Sequence, residues 1–272
     1  MIEIRSRDSD TVLLRLPLDT LAGADLARLA LTGADLAGAD LQGTDLRGTD
    51  LCKARLSGAD LRGARLDGAD LTLADCSTAD LTGAHLADAM CIAVTLVGTR
   101  LAGIDALRAT FEFATLRGAT LANASLVRTD FSHATVEDCD FSGADLSAAT
   151  LSHSAWRRCN LSYATLAMAV LDGTCLTETD LSHAELSRAF LAGATMAGAD
   201  FTGATFGRTV LAACEDLGRA RGLDAVVHRG HSCLDLMTLR AGLDTLPEGF
   251  LQGVGVEPEE LGALRAAMST AH

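Results

Sequence analysis

The sequence predicts an all-β protein: a quadrilateral parallel β-helix, with a short strand cap at its N-terminal end and a small helical tail at the other. Three observations predict it. Counting in fives from Leu21 reaches 39 positions, ending at Leu211, without a shift of register, and nearly all are Leu or Phe. The exceptions, Cys76, Cys91, Ala106, Val136, Trp156 and Met196, are also apolar. Two residues before each central position a small residue usually stands, as at Ala24, Ala34, Ala39, Thr44 and Ala204. Two residues after it Gly recurs, as at Gly23, Gly33, Gly38, Gly43 and Gly48. A helix repeats at about 3.6 residues and a strand at about 2, so neither keeps i and i−2 inward at this period. Four pentads, 20 residues in all, close one square coil instead.

The elements follow in order. IEIRSR and TVLLRL flank the turn-like Asp8 to Asp10 and read as a short hairpin capping the first coil, over residues 1–19. The repeat occupies residues 20–211. Gly two places after the central residue supplies the positive φ of a type II turn, and corners without Gly, such as Arg108 and His153, are expected to turn differently. Large residues enter the small slot at Leu29, Val94 and Ile104; Ile104 is followed by Ala106 in the central slot, an exchange that keeps the local volume. The three prolines, Pro17, Pro247 and Pro258, all lie outside the repeat, as a ladder that needs its N–H groups requires. Residues 212–272 read as a helical cap or dimerisation segment, with helices within Leu234 to Gly242, Pro247 to Gly253 and Pro258 to Met268 and with Ser232 and Asp244 as caps.

Composition sets the limits on function. With ten aromatic residues in 272, the core must be built from small and medium aliphatics in regular layers. A net charge of −14 disfavours direct binding to nucleic acid or an anionic membrane, and no run of about 18 apolar residues spans one. The eight scattered cysteines and a charged N-terminus read as a reduced, cytoplasmic protein.

The A(D/N)LxG pattern over residues 20 to 211 resembles the pentapeptide repeat family. The resemblance implies a right-handed coil; at about 4.8 Å per rung, nearly ten coils make a rod roughly 45 Å long. Some members, including quinolone-resistance proteins, resemble B-form DNA and occupy the DNA groove of type II topoisomerases. The implied role is a non-enzymatic DNA mimic on DNA gyrase or topoisomerase IV, protecting against their poisons; the alternative is a scaffold for an unrelated partner. The segment from His228 to Val256 is also similar to a tail that follows such repeats in larger bacterial proteins.

The candidate contact residues are acidic and apolar. On one face stand Asp40, Asp60, Asp80, Asp140, Asp180 and Asp200, and on the next Asp25, Asp45, Asp105, Asp145 and Glu185. The bland reading is that each merely hydrogen-bonds the backbone at its corner. Residues 1 to 211 hold 27 Asp and Glu against 17 Lys and Arg, whereas about 45 Å of duplex carries around 26 charges, so any imitation is local. Val170, Phe190 and Val210 form an outward apolar column with Met168 nearby, to be covered by the tail or by a second copy through Leu236, Met237, Leu239, Phe250 and Leu251.

His133 and His153 stack one coil apart and His228, His231 and Cys233 cluster, but neither has structural-zinc spacing, so no metal or cofactor is expected. Cys139 and Cys159 fill small inward slots. No phosphate loop or nucleophile elbow occurs, and carboxylates on a convex surface lack the desolvation that catalysis needs.

Overall fold

The computed structural model describes residues 1–269 and shows a parallel β-solenoid. From Asp25 to Phe190 the residue before a central position bridges the one 20 later, as in Asp40↔Asp60↔Asp80 and Asp105↔Ser125↔Asp145. The ladder repeats one pattern throughout: Leu61 N–H donates to Asp80 O at 2.7 Å, and Asp80 N–H donates to Ala59 O at 2.9 Å. Central side chains point inward, and Leu26, Leu61, Leu126 and Leu186 are fully buried. The small slot is lined mainly by Ala. Where Thr replaces it, the hydroxyl bonds the coil before, as when Thr44 Oγ1 donates to Leu21 O and Thr49 Oγ1 to Leu26 O, each at 2.7 Å, except at Thr129, which bonds Leu126 O of its own coil. The thiols of Cys139 and Cys159 do the same toward Leu116 O and Val136 O, each at 3.4 Å.

Aromatic side chains also fill the interior, most densely between Phe111 and Trp156. Phe111 stacks on Phe131 at 4.8 Å between ring centroids, and Trp156 meets Phe131 at 5.4 Å and Phe141 at 4.6 Å. The indole N–H donates to Ser154 Oγ at 2.8 Å, so a polar atom in a closed interior is satisfied. Ile104 and Ala106 are both buried, in the exchanged order. Ala106→Leu alone should overfill that coil and cost about 1–3 kcal/mol, and adding Ile104→Ala should recover most of it, read from the urea midpoint. Two losses that simply add would show that these slots do not share one volume.

The corners correct one expectation. At every five-residue step from Gly23 to Ala213 the backbone has positive φ, whether the residue is Gly or not. Arg108 (φ 59°) and His153 (φ 57°) therefore turn as the glycines do, and Ala109 N–H still closes the turn onto Ala106 O at 3.0 Å. Coil geometry overrides a local preference worth about 1–2 kcal/mol per residue. The corners that differ follow short paired strands: Thr115–Arg117, Thr135–Glu137 and Ala155–Arg157 pair in parallel along one side, and Phe190–Ala192 pairs with Val210–Ala212 on another.

The N-terminal hairpin forms as expected. Strand β1 (Ile2–Ser6) pairs antiparallel with β2 (Val12–Leu16) and, on its other edge, with Ala34–Asp35 of the first coil. Ile4 is buried, and Ile2, Leu14 and Leu16 pack against the same core, so the hairpin plugs that end.

At the other end coiling outlasts the five-residue register. Arg221 bridges Asp200, Val227–His228 pairs with Thr205–Phe206, and Cys233–Leu234 pairs with Val210–Leu211, in an irregular last turn. There the Asp216 carboxylate replaces a missing strand by accepting from Met196 N–H at 2.9 Å and Ala197 N–H at 3.0 Å. The helices α1 (Leu236–Gly242), α2 (Glu248–Val254) and α3 (Pro258–Ser269) follow. Asp235, not Ser232, caps α1 by accepting from Thr238 N–H, and Pro247, not Asp244, occupies the N-cap of α2.

Candidate functional site

Each of the eleven acidic residues accepts a hydrogen bond from the backbone N–H two residues on. Examples on the first face are Asp40 from Gln42 at 3.3 Å, Asp60 from Arg62 at 3.2 Å, Asp80 from Thr82 at 3.0 Å and Asp140 from Ser142 at 3.0 Å. Asp180 and Asp200 bond Ser182 and Thr202 in the same way. On the second face the partners of Asp25, Asp45, Asp105, Asp145 and Glu185 are Ala27, Arg47, Leu107, Ser147 and Ser187. This is the side chain closing a turn upon its own backbone. One oxygen of each carboxylate is thereby committed to the fold.

Among the described residues, arginines pair with three of the eleven, Asp45, Asp60 and Asp80. Arg47 binds Asp45 at 2.5 Å, Arg62 binds Asp60 at 2.6 Å and Arg100 binds Asp80 at 3.1 Å. The hydrogen bond from Arg47 holds the Asp45 carboxyl down at about 2, and that from Arg62 lowers Asp60. For Asp80, burial pushes upward but is outweighed by Thr82 and Arg100. The columns are also interrupted: Arg100, Thr120 and Asn160 stand among the first set, and Arg65, His85, Ser125 and Thr165 among the second. The longest unbroken acidic run on these two faces is Asp40, Asp60 and Asp80. Further pairs span one coil, Arg55 with Asp35, Arg108 with Asp88 and Arg158 with Asp138, so the surface is a charge-paired lattice.

The apolar column is real and stays open. Val170, Phe190 and Val210 bridge in sequence, with Cys233 next, and Val170 and Phe190 remain 37% and 40% exposed with the tail in place. Met168 is exposed beside them. The tail residues divide: Leu239, Phe250 and Leu251 are buried within the end cap, while Leu236 and Met237 are 49% and 57% exposed. The tail closes the end of the coil and does not lie along the column.

One surface feature was read only in part, since the sequence analysis stacked His133 and His153 but missed the other corner rings. At the corners, Phe113, His133 and His153 stack at 5.0 and 5.5 Å, and Tyr163 stacks on His183 at 4.9 Å. Both stacks end on glycine: a Cβ on Gly173 would meet His153 Nδ1 at 2.6 Å, and one on Gly203 would meet His183 Nδ1 at 2.6 Å. The 20-residue spacing of aromatic and Gly corners was the available signal.

Among the described residues no three His, Cys, Asp or Glu side chains are placed to hold a metal ion, and no helix is long and apolar enough to cross a membrane. All eight cysteines are free thiols, and burial raises Cys76 to about 12.

Comparison with known proteins agrees with this architecture. Models described as "Pentapeptide repeats (8 copies)" match residues 20–51, 53–88 and 174–211, and one described as "Pentapeptide repeat region" matches 108–185. HetL, a pentapeptide repeat protein involved in heterocyst differentiation regulation from the cyanobacterium Nostoc, is 30% identical over 75% of this chain and 89% of its own, with a TM-score of 0.47. QnrB1, a plasmid-mediated fluoroquinolone resistance protein, is 19% identical over 82% of this chain and 96% of its own, with a TM-score of 0.30. A pentapeptide repeat protein of the Arabidopsis thaliana thylakoid lumen is 25% identical over 47% of this chain and 69% of its own, with a TM-score of 0.22. No curated protein sequence matches the chain. The repeat models over most of the coil, with a 30% identical relative aligned along three quarters of the chain, place it: the protein belongs to the pentapeptide repeat family.

Proposed function

We propose that the protein is a non-enzymatic protein–protein interaction scaffold that works in the cytoplasm. The observation that carries this reading is the apolar column: Val170 and Phe190 stay exposed on the wall of the coil while the described tail residues fold at its end. A convex rod offers straight columns at fixed pitch, which suits recognition by an extended surface and gives no desolvated cleft for chemistry. The partner then contacts Val170, Phe190 and the neighbouring Met168, with Leu236 and Met237 at the rim.

A second reading keeps the acidic faces as the contact and makes the protein a DNA mimic on DNA gyrase or topoisomerase IV. The unbroken Asp40, Asp60 and Asp80 run favours it. The backbone bonds and arginine pairs at Asp60 and Asp80 weigh against it, because they leave less uncompensated charge than phosphates carry.

The readings separate in two assays. A photo-crosslinker at residue 190 should trap one partner in cells, and adding Val170→Asp should abolish that adduct with Tm unchanged; gyrase supercoiling should be unaffected at large molar excess, with or without a fluoroquinolone. Inhibition or drug protection that Asp60→Lys with Asp80→Lys abolishes would establish the second reading instead. An adduct between two copies of this chain, matched by a dimer in light scattering, would make the column a homodimer surface.

A further inference from the structure

The two ends of the rod are finished differently. At the N-terminal end β1 pairs with the side of the first coil that holds Ala34 and Asp35. The chain itself enters on the side that holds Asp40, with Thr20 one coil length before it in register. The two consecutive sides that hold Asp25 and Ala30 receive no strand. One rung deeper, Asp45 N–H donates to Ala24 O and Asp50 N–H to Leu29 O, each at 2.9 Å, while their carbonyls accept from Leu26 and Leu31 at 2.8 Å. The equivalent N–H and C=O groups of Asp25 and Ala30 have no partner among the described residues, and both residues are exposed. This is a short open sheet edge of the kind that templates strand addition.

An open groove of about 480 Å³ lies at the corner joining those two sides, lined by Asp25, Ala27, Arg28, Arg47, Gly48 and Asp67. Arg28 leans over the Gly48 corner, close enough that a Cβ there would touch its Cγ in ordinary contact at 3.5 Å. Arg47 is engaged by Asp45, but Asp25, Arg28 and Asp67 have no ion pair within 4.0 Å among the described residues. Unspent backbone donors and acceptors thus meet unspent charges of both signs at one corner.

We infer that this corner docks a polypeptide segment of a partner, which turns with the coil so as to bridge Asp25 on one side and Ala30 on the next, and which carries one acidic side chain for Arg28 and one basic side chain for Asp25 or Asp67. A second rod end does not come flush here, because the β1–β2 hairpin stands beyond the coil on an adjoining side. The mixed charges of the groove select against a uniformly charged polymer. This surface lies at the end of the rod opposite the tail and is independent of the Val170 and Phe190 column.

The test uses the full chain and a synthetic Thr-Val decapeptide with a Gly at its middle for the corner and carrying one Glu and one Lys, with all-Glu and all-Lys versions as controls. At millimolar peptide, NMR should show shifts and slowed exchange at the Asp25 and Ala30 amides with the mixed-charge peptide, and weaker effects with the controls. Ala30→Pro removes an N–H that bonds nothing in the folded chain, so it should leave Tm unchanged while weakening the peptide about fivefold, the loss of one backbone hydrogen bond. Arg28→Glu should weaken the mixed peptide and favour the all-Lys one. Absence of any shift at Asp25 and Ala30, or equal binding by Ala30→Pro, overturns the inference. A dimer of the free protein that Ala30→Pro dissolves overturns it also, by assigning the edge to a second copy.

Discussion

Trp156→Ala is expected to cost about 3–5 kcal/mol, the largest loss of any single truncation in the interior. The indole is fully buried, contacts the rings of Phe131 and Phe141, and ties its N–H to Ser154 Oγ, so truncation leaves a cavity and removes the bond that this hydroxyl accepts, while it still donates to Leu151 O. The rings around it stack across coils and cannot collapse inward without breaking the rungs that hold them. Because each coil touches only its neighbours, the damage should be graded: amide exchange should rise most from Phe131 to Asp180 and hardly at all near Leu46. Trp156→Phe keeps an aromatic body and should cost less than half as much. A loss below about 1 kcal/mol for the alanine variant would mean that the interior is not packed around this side chain.

Acid should loosen the tail before it touches the rod. Both ring nitrogens of His228 are buried without a hydrogen-bond partner, and the ring sits against Phe206 and Phe250 at 6.4 and 5.5 Å. Burial lowers its pKa from the ordinary 6.5. The sign follows directly. Above about 6.5 the imidazole is neutral whether the tail is docked or not, and docking is pH-independent. As pH falls through 6.5 toward the lowered value, the undocked state takes up a proton that the docked ring refuses, and docking weakens by at most about tenfold per pH unit. Exchange of α2 amides should therefore accelerate relative to the coil between neutral pH and about 5.5. His228→Phe should remove that dependence; its persistence would assign the effect to another group. Gly253→Ala should unseat the same contact at every pH, because a Cβ there would lie 2.1 Å from His228 Cδ2.

The body of the fold was legible because one geometric rule, five residues per side, is written without interruption from Leu21 to Leu211. The corners were read less well. Positive φ was tied to glycine, yet Leu73, Phe113 and Tyr163 adopt it, since a residue locked between two rungs has no alternative conformation to choose. The last coil was invisible for the opposite reason: the separations Asp200 to Arg221, Thr205 to Val227 and Val210 to Cys233 grow along the chain, so no fixed period marks it. Among the acidic residues, their stacking was readable from spacing. Their backbone bonds were readable only as a competing possibility. Arg100 beside Asp80 was in plain view at 20-residue spacing, whereas Arg47 beside Asp45 and Arg62 beside Asp60 depend on rotamers that no period encodes.

The constant coil length also governs how such a molecule can change its size. A duplicated segment of 20 residues would lengthen the shaft and leave every wall aligned, with Phe190 still in line with Val170. An inserted block of five would fit the interior equally well yet swing everything beyond it through a quarter turn, moving carboxylates onto a different wall. Growth and the compass bearing of the surface are therefore separable: whole windings extend reach, and partial windings redirect it.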